Sequence, residues 1–308
     1  MDVVSDAISS VRTGQPHSNR LSVGGRWCTR IASYEGAGFH VVLAGSCWLL
    51  PEGGAGVPLG VGDVVLLPHG VGHVLADGPV DAATAARAMP FEEEGRVRRP
   101  TAGGTELLCG KYRLDRSRAH PLLAELPQVV HLPNRADRPA ELRSAVDLLA
   151  GELDGRRPGS SLALPSLLDL LLVYMVRAWL ARAATGAWPA VLSDPVTTAA
   201  LRALHADPAA PWTNDSLAAR VGVSRATLAR RFTSLVGRPP MAYLTWWRLT
   251  LAAARLRDTD APLAAVARET GYGSPYALSH AFSREFGTTP GRYRTHGTAT
   301  PVQALHCP

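Results

Sequence analysis

The sequence predicts an α+β multidomain chain, with an N-terminal β-barrel, a helical connector and an all-α C-terminal domain built on two helix-turn-helix units. Three observations predict it. Between about Leu21 and Leu132, short apolar runs alternate with Gly, Pro and Asp clusters. Two longer segments with helical apolar spacing follow. From Val196 onward, short helices succeed one another across tight Gly- or Ser-containing turns. The expected divisions are 1–132, 133–190 and 191–308. With 46% hydrophobic residues and a mean hydropathy of +0.01, the 308-residue chain is globular rather than disordered and exceeds one ordinary core.

Met1-Asp2-Val3-Val4-Ser5-Asp6 has no basic start and no apolar run, which argues against a secretory signal. His40-Val41-Val42-Leu43, Cys47-Trp48-Leu49-Leu50, Val64-Val65-Leu66-Leu67 and Leu107-Leu108-Cys109 read as strands of a sandwich or barrel. Residues 78–104 read as a loop. Ala140–Leu153 places Leu142, Val146, Leu149 and Leu153 on one helical face. A second helix is expected from Pro165 to about Ala183. It is apolar almost all round and must be covered on most sides, by its own domain or by a second chain. Pro165, Asp169 and Arg177 favour a buried helix over a membrane span. The two helices are expected to form or support a homodimer, and Gly186–Pro195 reads as a linker.

Charge is unevenly divided. Residues 190–308 hold 13 arginines against seven acidic residues, whereas residues 1–189 balance 19 basic with 19 acidic. The whole net charge of +6 therefore sits on the C-terminal part, as a module that neutralises phosphates requires. Lys111 is the single lysine. Cys28, Cys47, Cys109 and Cys307 form no CxxC pair, a pattern that suits reduced thiols in the cytoplasm.

From Trp212 to Phe232 the sequence has the physical grammar of a helix-turn-helix. Thr213 caps a first helix, with Asp215 in its first turn. Gly222 accepts the left-handed conformation that ends that helix, and Ser224 caps the second. Leu217 and Val221 face Leu228 and Phe232 across a small shared core. Arg225, Ala226, Ala229 and Arg230 remain on the outer face, where this motif reaches base edges, with Thr227 and Arg231 beside them. About fifty residues later the pattern returns. Pro262 starts a helix, Gly271 ends it, Ser274 caps the next and Pro275 takes its first position. Leu278, Phe282 and Phe286 form the buried stripe, which leaves Tyr276, Ser279, His280 and Ser283 facing outward. A helix from Pro240 to Arg257, with Met241, Leu244, Trp247, Leu251 and Ala254 on one face, joins the two units.

These residues, with Arg230-Arg231-Phe232, Gly237-Arg238-Pro239-Pro240, Arg248-Leu249, Gly271-Tyr272-Gly273-Ser274 and Pro290-Gly291-Arg292-Tyr293-Arg294, resemble the AraC/XylS family of transcriptional regulators over roughly residues 196–294. The resemblance implies two recognition helices that enter the major groove of a double-stranded DNA operator. It also implies a homodimer and, for an activator, contact with RNA polymerase. His280 stands where the family usually carries arginine, which implies a weaker grip by the second unit.

In the first domain, Gly62-Asp63 followed by Pro68-His69-Gly70-Val71-Gly72-His73 resembles the second motif of the cupin barrel. The first cupin motif, which supplies two histidines and a glutamate to a metal, is absent; Phe39–Gly45 matches only its end. A metal-dependent cupin enzyme with an accessory helical domain is therefore the lesser alternative, and no catalytic residue is expected. His40, His69, His73, Cys109, Cys28 and Cys47 remain a dense set of soft donors. They suit zinc or copper, a redox-responsive thiol, or plain structural packing. Phe39-His40, Pro68 to His73 and Cys109-Gly110 also resemble AraC-type regulators that respond to reactive chlorine species. That resemblance implies pairing of Cys109 with a cysteine nearer the N-terminus, for which Cys28 is the nearest candidate. The expected function is a sequence-specific DNA-binding regulator whose cupin-like domain senses a small molecule, metal or oxidant.

Overall fold

The computed structural model describes residues 3–12, 14–91, 104–114, 120–135, 139–154, 157–183 and 187–298. Cys307 lies outside them. The described residues separate into two compact units, one within 11–184 and one within 1–10 and 185–308. The two helices expected to form a connector fall in the first unit, while the first ten residues cluster with the second.

The chain opens on α1 (Val3–Val11). In the first unit, β1 (His17–Val23), β9 (Thr105–Tyr112), β3 (Ala37–Ala44), β6 (Val64–Leu67) and β10 (Val130–Leu132) form one sheet in that order. The second sheet runs β5 (Val57–Leu59), β4 (Cys47–Pro51), β7 (His73–Ala76), β2 (Cys28–Ile31), β8 (Met89–Pro90). All pairings are antiparallel except β2 with β8. Leu21, Val42, Leu49, Val65, Leu75 and Leu107 pack into one buried cluster, so these strands cohere by apolar burial. The short run Val64-Val65-Leu66-Leu67 is buried at every position, as a strand covered on both faces must be.

The Gly62-Asp63 turn is a structural clasp. Asp63 accepts bonds from the backbone N–H of Gly60 (3.0 Å) and Asn134 (2.7 Å) and lies 3.1 Å from His131 Nε2. These bonds hold its carboxyl below the usual range despite its partial burial. Gly70 has φ +57°, and a Cβ there would fall 2.2 Å from the carbonyl oxygen of Tyr34. Glycine at this position lets the β6–β7 turn pass beneath Tyr34 and aim His73 into the barrel.

Three expectations are corrected. Residues 78–104 are not simply a loop: α2 (Ala82–Ala86) and β8 lie there, α2 being capped by Asp81. Residues 92–103 fall outside the described residues. The second long helix begins five residues before Pro165. It runs Ser160–Arg182, with Ser160 also bonded to Glu152. The Gly186–Pro195 linker contains α6 (Ala187–Ser193), which Trp188 and Val191 anchor by burial.

Short helix α3 (Pro121–Ala124) precedes β10. Next, α4 (Ala140–Asp154) buries Leu142, Val146 and Leu149 as its spacing predicts, and packs on α5 (Ser160–Arg182). Tyr112 OH donates to the carbonyl of Leu168 (2.7 Å), which fixes α5 to the barrel. By length and composition α5 could cross a membrane, but Leu168, Leu171, Leu172, Met175 and Val176 are buried within the chain and Asp169 pairs with Arg12. The expectation that α5 is covered on most sides is only half met: Leu162 and Leu170 are exposed at 78% and 46%.

The second unit is helical, with α6, α7 (Pro195–Ala206), α8 (Asn214–Arg220), α9 (Arg225–Val236), α10 (Pro240–Asp258), α11 (Leu263–Glu269), α12 (Pro275–Phe286) and α13 (Pro290–Thr298). α10 is buried over more of its circumference than one apolar stripe suggests. Tyr243, Trp246, Leu249, Ala252, Ala253 and Leu256 join Leu244 and Trp247, while Met241, Leu251 and Ala254 are half-buried. A helix packed by other helices on several sides needs that wider face. From α1, Asp6 Oδ2 reaches His205 Nδ1 at 2.9 Å. His205 Nε2 in turn lies 2.8 Å from Tyr243 OH, and its ring stacks on Trp247 at 4.3 Å.

Candidate functional site

In the barrel, the two dipeptides singled out in the sequence face each other on one ladder. Phe39 is paired in register with Gly110, and His40 with Cys109. Gly110 has to be glycine, because a Cβ would fall 2.2 Å from the Phe39 ring. Cys109 Sγ lies 3.1 Å from His40 Nδ1, His40 Nε2 lies 2.8 Å from His73 Nε2, and His73 Nδ1 lies 2.9 Å from the carbonyl oxygen of Val71. All three side chains are buried. They line a cavity of about 30 Å³, together with Tyr34 and Lys111, whose ammonium sits 5.2 Å from the Tyr34 ring centre.

Burial sets the charge states. It pushes the Cys109 thiol up to about 12, with Cys47 adding to the effect and Lys111 opposing it. It holds His40 well below the ordinary imidazole range, with His73 and Lys111 contributing. His73 is pushed down to about 4, mainly by burial, against the opposing bond to Val71. Near neutral pH the resting site is a thiol and two neutral imidazoles.

The other donors expected here lie elsewhere. His69 Nε2 bonds the carbonyl of Leu126 (2.7 Å) and does not line the cavity. Half-exposed Cys28, on β2, is paired in register with Ala76 in the other sheet from Cys109, beside Asp77 and Arg30. Cys47 shares the apolar cluster with Cys109, and its thiol is likewise pushed up to about 12 by burial.

The zinc or copper expectation does not fit these donors. Among the described residues, no three His, Cys, Asp or Glu converge on a metal position. Cys109 and His73 sit on opposite nitrogens of one imidazole ring. Two nitrogens 2.8 Å apart would subtend less than a right angle at a zinc with bonds of about 2.0–2.1 Å, whereas 2.8 Å suits a hydrogen bond.

Sequence reasoning missed Tyr34, Lys111, His17 and Asn19 at this cavity. Strand alternation carries the signal for Lys111, since it is two residues from Cys109 on β9 and shares its face. His17 and Asn19 follow from their register opposite Lys111 and Cys109.

In the helical unit, Thr213 and Ser216 cap α8 reciprocally: Ser216 N donates to Thr213 Oγ1 (3.0 Å) and Thr213 N to Ser216 Oγ (2.9 Å). Gly222 takes φ +72°, and Ser224 Oγ accepts from Thr227 N at 3.2 Å. Leu217, Leu228 and Phe232 are buried, with Ala218 in place of half-buried Val221. Arg225, Ala226, Arg230 and Arg231 are exposed, while Thr227 and Ala229 are half-buried. Thr227 accepts a bond from Ser224 Oγ (2.9 Å) and so completes the cap. Arg231 reaches Asp194 at 3.3 Å, and Asp194 caps α7 by accepting from Thr197 N (2.7 Å). Arg225 lies 3.6 Å from Asp215 in an exposed pair, which is a weak tether.

The second unit repeats the construction. Gly271 takes φ +77°, Ser274 Oγ accepts from Ala277 N (3.1 Å), and Pro275 opens α12. Leu278 and Phe282 are buried, and Phe286 is half-buried against Phe282. Tyr276 is 82% exposed; His280 is exposed, and Ser279 and Ser283 are half-buried.

Two capped helix-turn-helix units in one helical body, in a chain that also carries a cupin-like sheet domain, define a DNA-binding regulator rather than an enzyme. Residues 2–181 match the family described as Cupin, and residues 217–296 match the helix-turn-helix domain family. An AraC-like transcription regulator of Streptomyces lividans is 37% identical, with 97% of this chain and 99% of that one aligned. The RCS-specific HTH-type transcriptional activator RclR of Escherichia coli (strain K12) is 30% identical over 83% of each chain. Among solved structures, the DNA-binding domain of AdpA in complex with a target DNA is 35% identical. It covers 36% of this chain and 99% of its own, with a TM-score of 0.34. The chain belongs to the AraC-like transcription regulators that carry an N-terminal cupin domain.

Proposed function

We propose that this regulator senses a small two-electron oxidant at Cys109 and answers by changing its affinity for an operator. The observation that carries the reading is the thiol set 3.1 Å from His40 at a cavity of about 30 Å³. Such a volume has room for a small molecule of about one or two waters' size and is far below the usual ~300–1,000 Å³ of ligand pockets. Hypochlorous acid or a peroxide matches it, whereas a sugar or fatty acid does not. The E. coli relative is named for reactive chlorine species, and we carry that class of signal to this chain. On the DNA side, Arg225 and Arg230 of α9 would meet base edges, with Tyr276, Ser279, His280 and Ser283 of α12 in the next groove. Exposed Leu148, Leu162 and Leu170 on α4 and α5 support a homodimer, and binding to an operator would place it in the cytoplasm.

The test is operator affinity before and after stoichiometric hypochlorous acid. The reading expects a several-fold change that Cys109→Ser removes. An equal change in Cys109→Ser, or none in the parent chain, contradicts it.

A further inference from the structure

The hydrogen bonds around Cys109 have only one consistent direction. A carbonyl oxygen accepts and never donates, so the 2.9 Å contact with Val71 puts a proton on His73 Nδ1. A neutral His73 then offers a lone pair at Nε2, so the 2.8 Å contact obliges His40 Nε2 to donate. A neutral His40 is left with a lone pair at Nδ1, which accepts the Cys109 S–H at 3.1 Å. The chain therefore runs from thiol to His40 to His73 to Val71, and the thiol hydrogen is its sole source.

We propose that oxidation of Cys109 is transmitted through this chain to residues 68–72: loss of the thiol hydrogen reverses both imidazole tautomers and expels the Val71 carbonyl. This rests on the oxidant-sensing reading above. With hypochlorous acid, an S–Cl bond forms while the S–H and Cl–O bonds break. Sulfur gives two electrons to chlorine, and the thiol hydrogen leaves in water. A sulfenyl chloride, a disulfide or a sulfinate carries no donor hydrogen and reverses the chain, whereas a sulfenic acid keeps an O–H towards His40 and does not, so the switch belongs to the hydrogen-free products. His40 Nδ1 would then face lone pairs, and its favourable state becomes Nδ1–H. That strands His40 Nε2 against His73 Nε2, two buried acceptors in contact, a costly arrangement. His73 relieves it by carrying its hydrogen on Nε2, which leaves its Nδ1 lone pair against the Val71 oxygen. Both rings stay neutral, and protons exchange through the cavity.

His73 could instead take up a proton and keep Val71. Its burial and the Lys111 charge oppose that. The other titratable groups nearby are His17, Tyr34 and, on the cleft that His73 also lines, Glu52 and Arg30. The turn that must move is held by Tyr34 N to Gly70 O (3.0 Å), Glu52 N to Gly72 O (2.8 Å) and Gly70 N to Leu67 O (3.1 Å). Their amides report its release.

The experiment combines nitrogen NMR of the histidine rings, backbone hydrogen exchange and mass spectrometry of the Cys109 peptide, before and after hypochlorous acid. In the reduced chain His40 should carry Nε2–H and His73 Nδ1–H. On oxidation both tautomers should reverse, and the Tyr34, Glu52 and Gly70 amides should exchange at least tenfold faster. Cys109→Ser keeps an O–H donor and should show neither change. In His73→Gln, an amide can present oxygen or nitrogen to His40 without moving Val71. Cys109 should therefore still oxidise in that variant, with less than twofold change in exchange. Oxidised Cys109 with unchanged tautomers, a His73 imidazolium with the turn unmoved, or equal acceleration in His73→Gln would each overturn the proposal while leaving sensing by Cys109 intact. A Cys109 that never oxidises defeats the sensing reading, whereas the tautomers of the reduced chain still test the direction of the chain.

Discussion

Arg230 and Arg231 are neighbours on α9 with different employment. Arg231 is tied to Asp194 at the start of α7, whereas Arg230 stands exposed with no ion-pair partner among the described residues. Arginine can donate two parallel bonds to guanine in the major groove, and such a pair discriminates by about 1–3 kcal/mol. Arg230→Ala is therefore predicted to weaken specific binding by about that amount and to relax preference at one base pair, read from competition with single-substituted duplexes. An equal loss on random DNA would make Arg230 a phosphate contact. His73 supplies a second prediction at this scale. Its ordinary value is 6.5, and in the fold it is about 4, so the unfolded chain takes up the proton first as pH falls. Its contribution is complete above about pH 6.5 and lost towards pH 4, on the order of 3 kcal/mol. Thermal unfolding across that window should fall less steeply in His73→Gln; identical slopes would contradict the assignment.

Among the elements, α10 decides how the two reading helices are spaced. Its 19 residues span about 28 Å at roughly 1.5 Å per residue. Successive major-groove faces on one side of straight DNA lie about 34 Å apart. Were the reading helices spaced by that length, engaging both faces would require a bend towards the protein, which costs on the order of 1–6 kcal/mol. With His280 on α12, the second unit is predicted to contribute less, so footprinting should show stronger sensitivity to substitutions in the half-site read by α9. Equal sensitivity in both halves would mean that Tyr276, Ser279 and His280 read bases as well as Arg225 and Arg230 do. The two capped units were legible because caps and left-handed glycines act locally: Thr213, Gly222, Ser224, Gly271 and Ser274 serve as their types require. The barrel strands were legible for the same reason. Most of what stayed hidden is non-local. α5 starts at Ser160, after left-handed Gly159, rather than at Pro165, and α6 forms because Trp188 and Val191 find a core. In the cavity, register across β1 and β9 gathers Asn19, His17 and Lys111, which no motif marks.

For the molecule as a whole, assembly and DNA binding are separate predictions. Leu148 and Leu162 are 61% and 78% exposed on two helices packed together, large apolar side chains that a second copy could cover. Sedimentation at tens of micromolar is predicted to show a dimer, and Leu162→Glu with Leu148→Glu a monomer. A monomeric parent chain would exclude this face. The N-terminal residues also belong to the account, since Asp6 and His205 form a buried pair 199 positions apart. Asp6→Ala should destabilise the helical unit by about 1–3 kcal/mol, the usual effect of leaving a buried polar group without its hydrogen-bond partner. Control of sequence-specific DNA binding by this chain is tested most directly by selecting duplexes from a random pool and titrating the winner and a scrambled duplex against salt. The winner is predicted to bind at least about 10³-fold tighter, with both affinities falling linearly in log–log form as salt rises. Equal affinity for winner and scrambled duplex, or binding indifferent to salt, would contradict it.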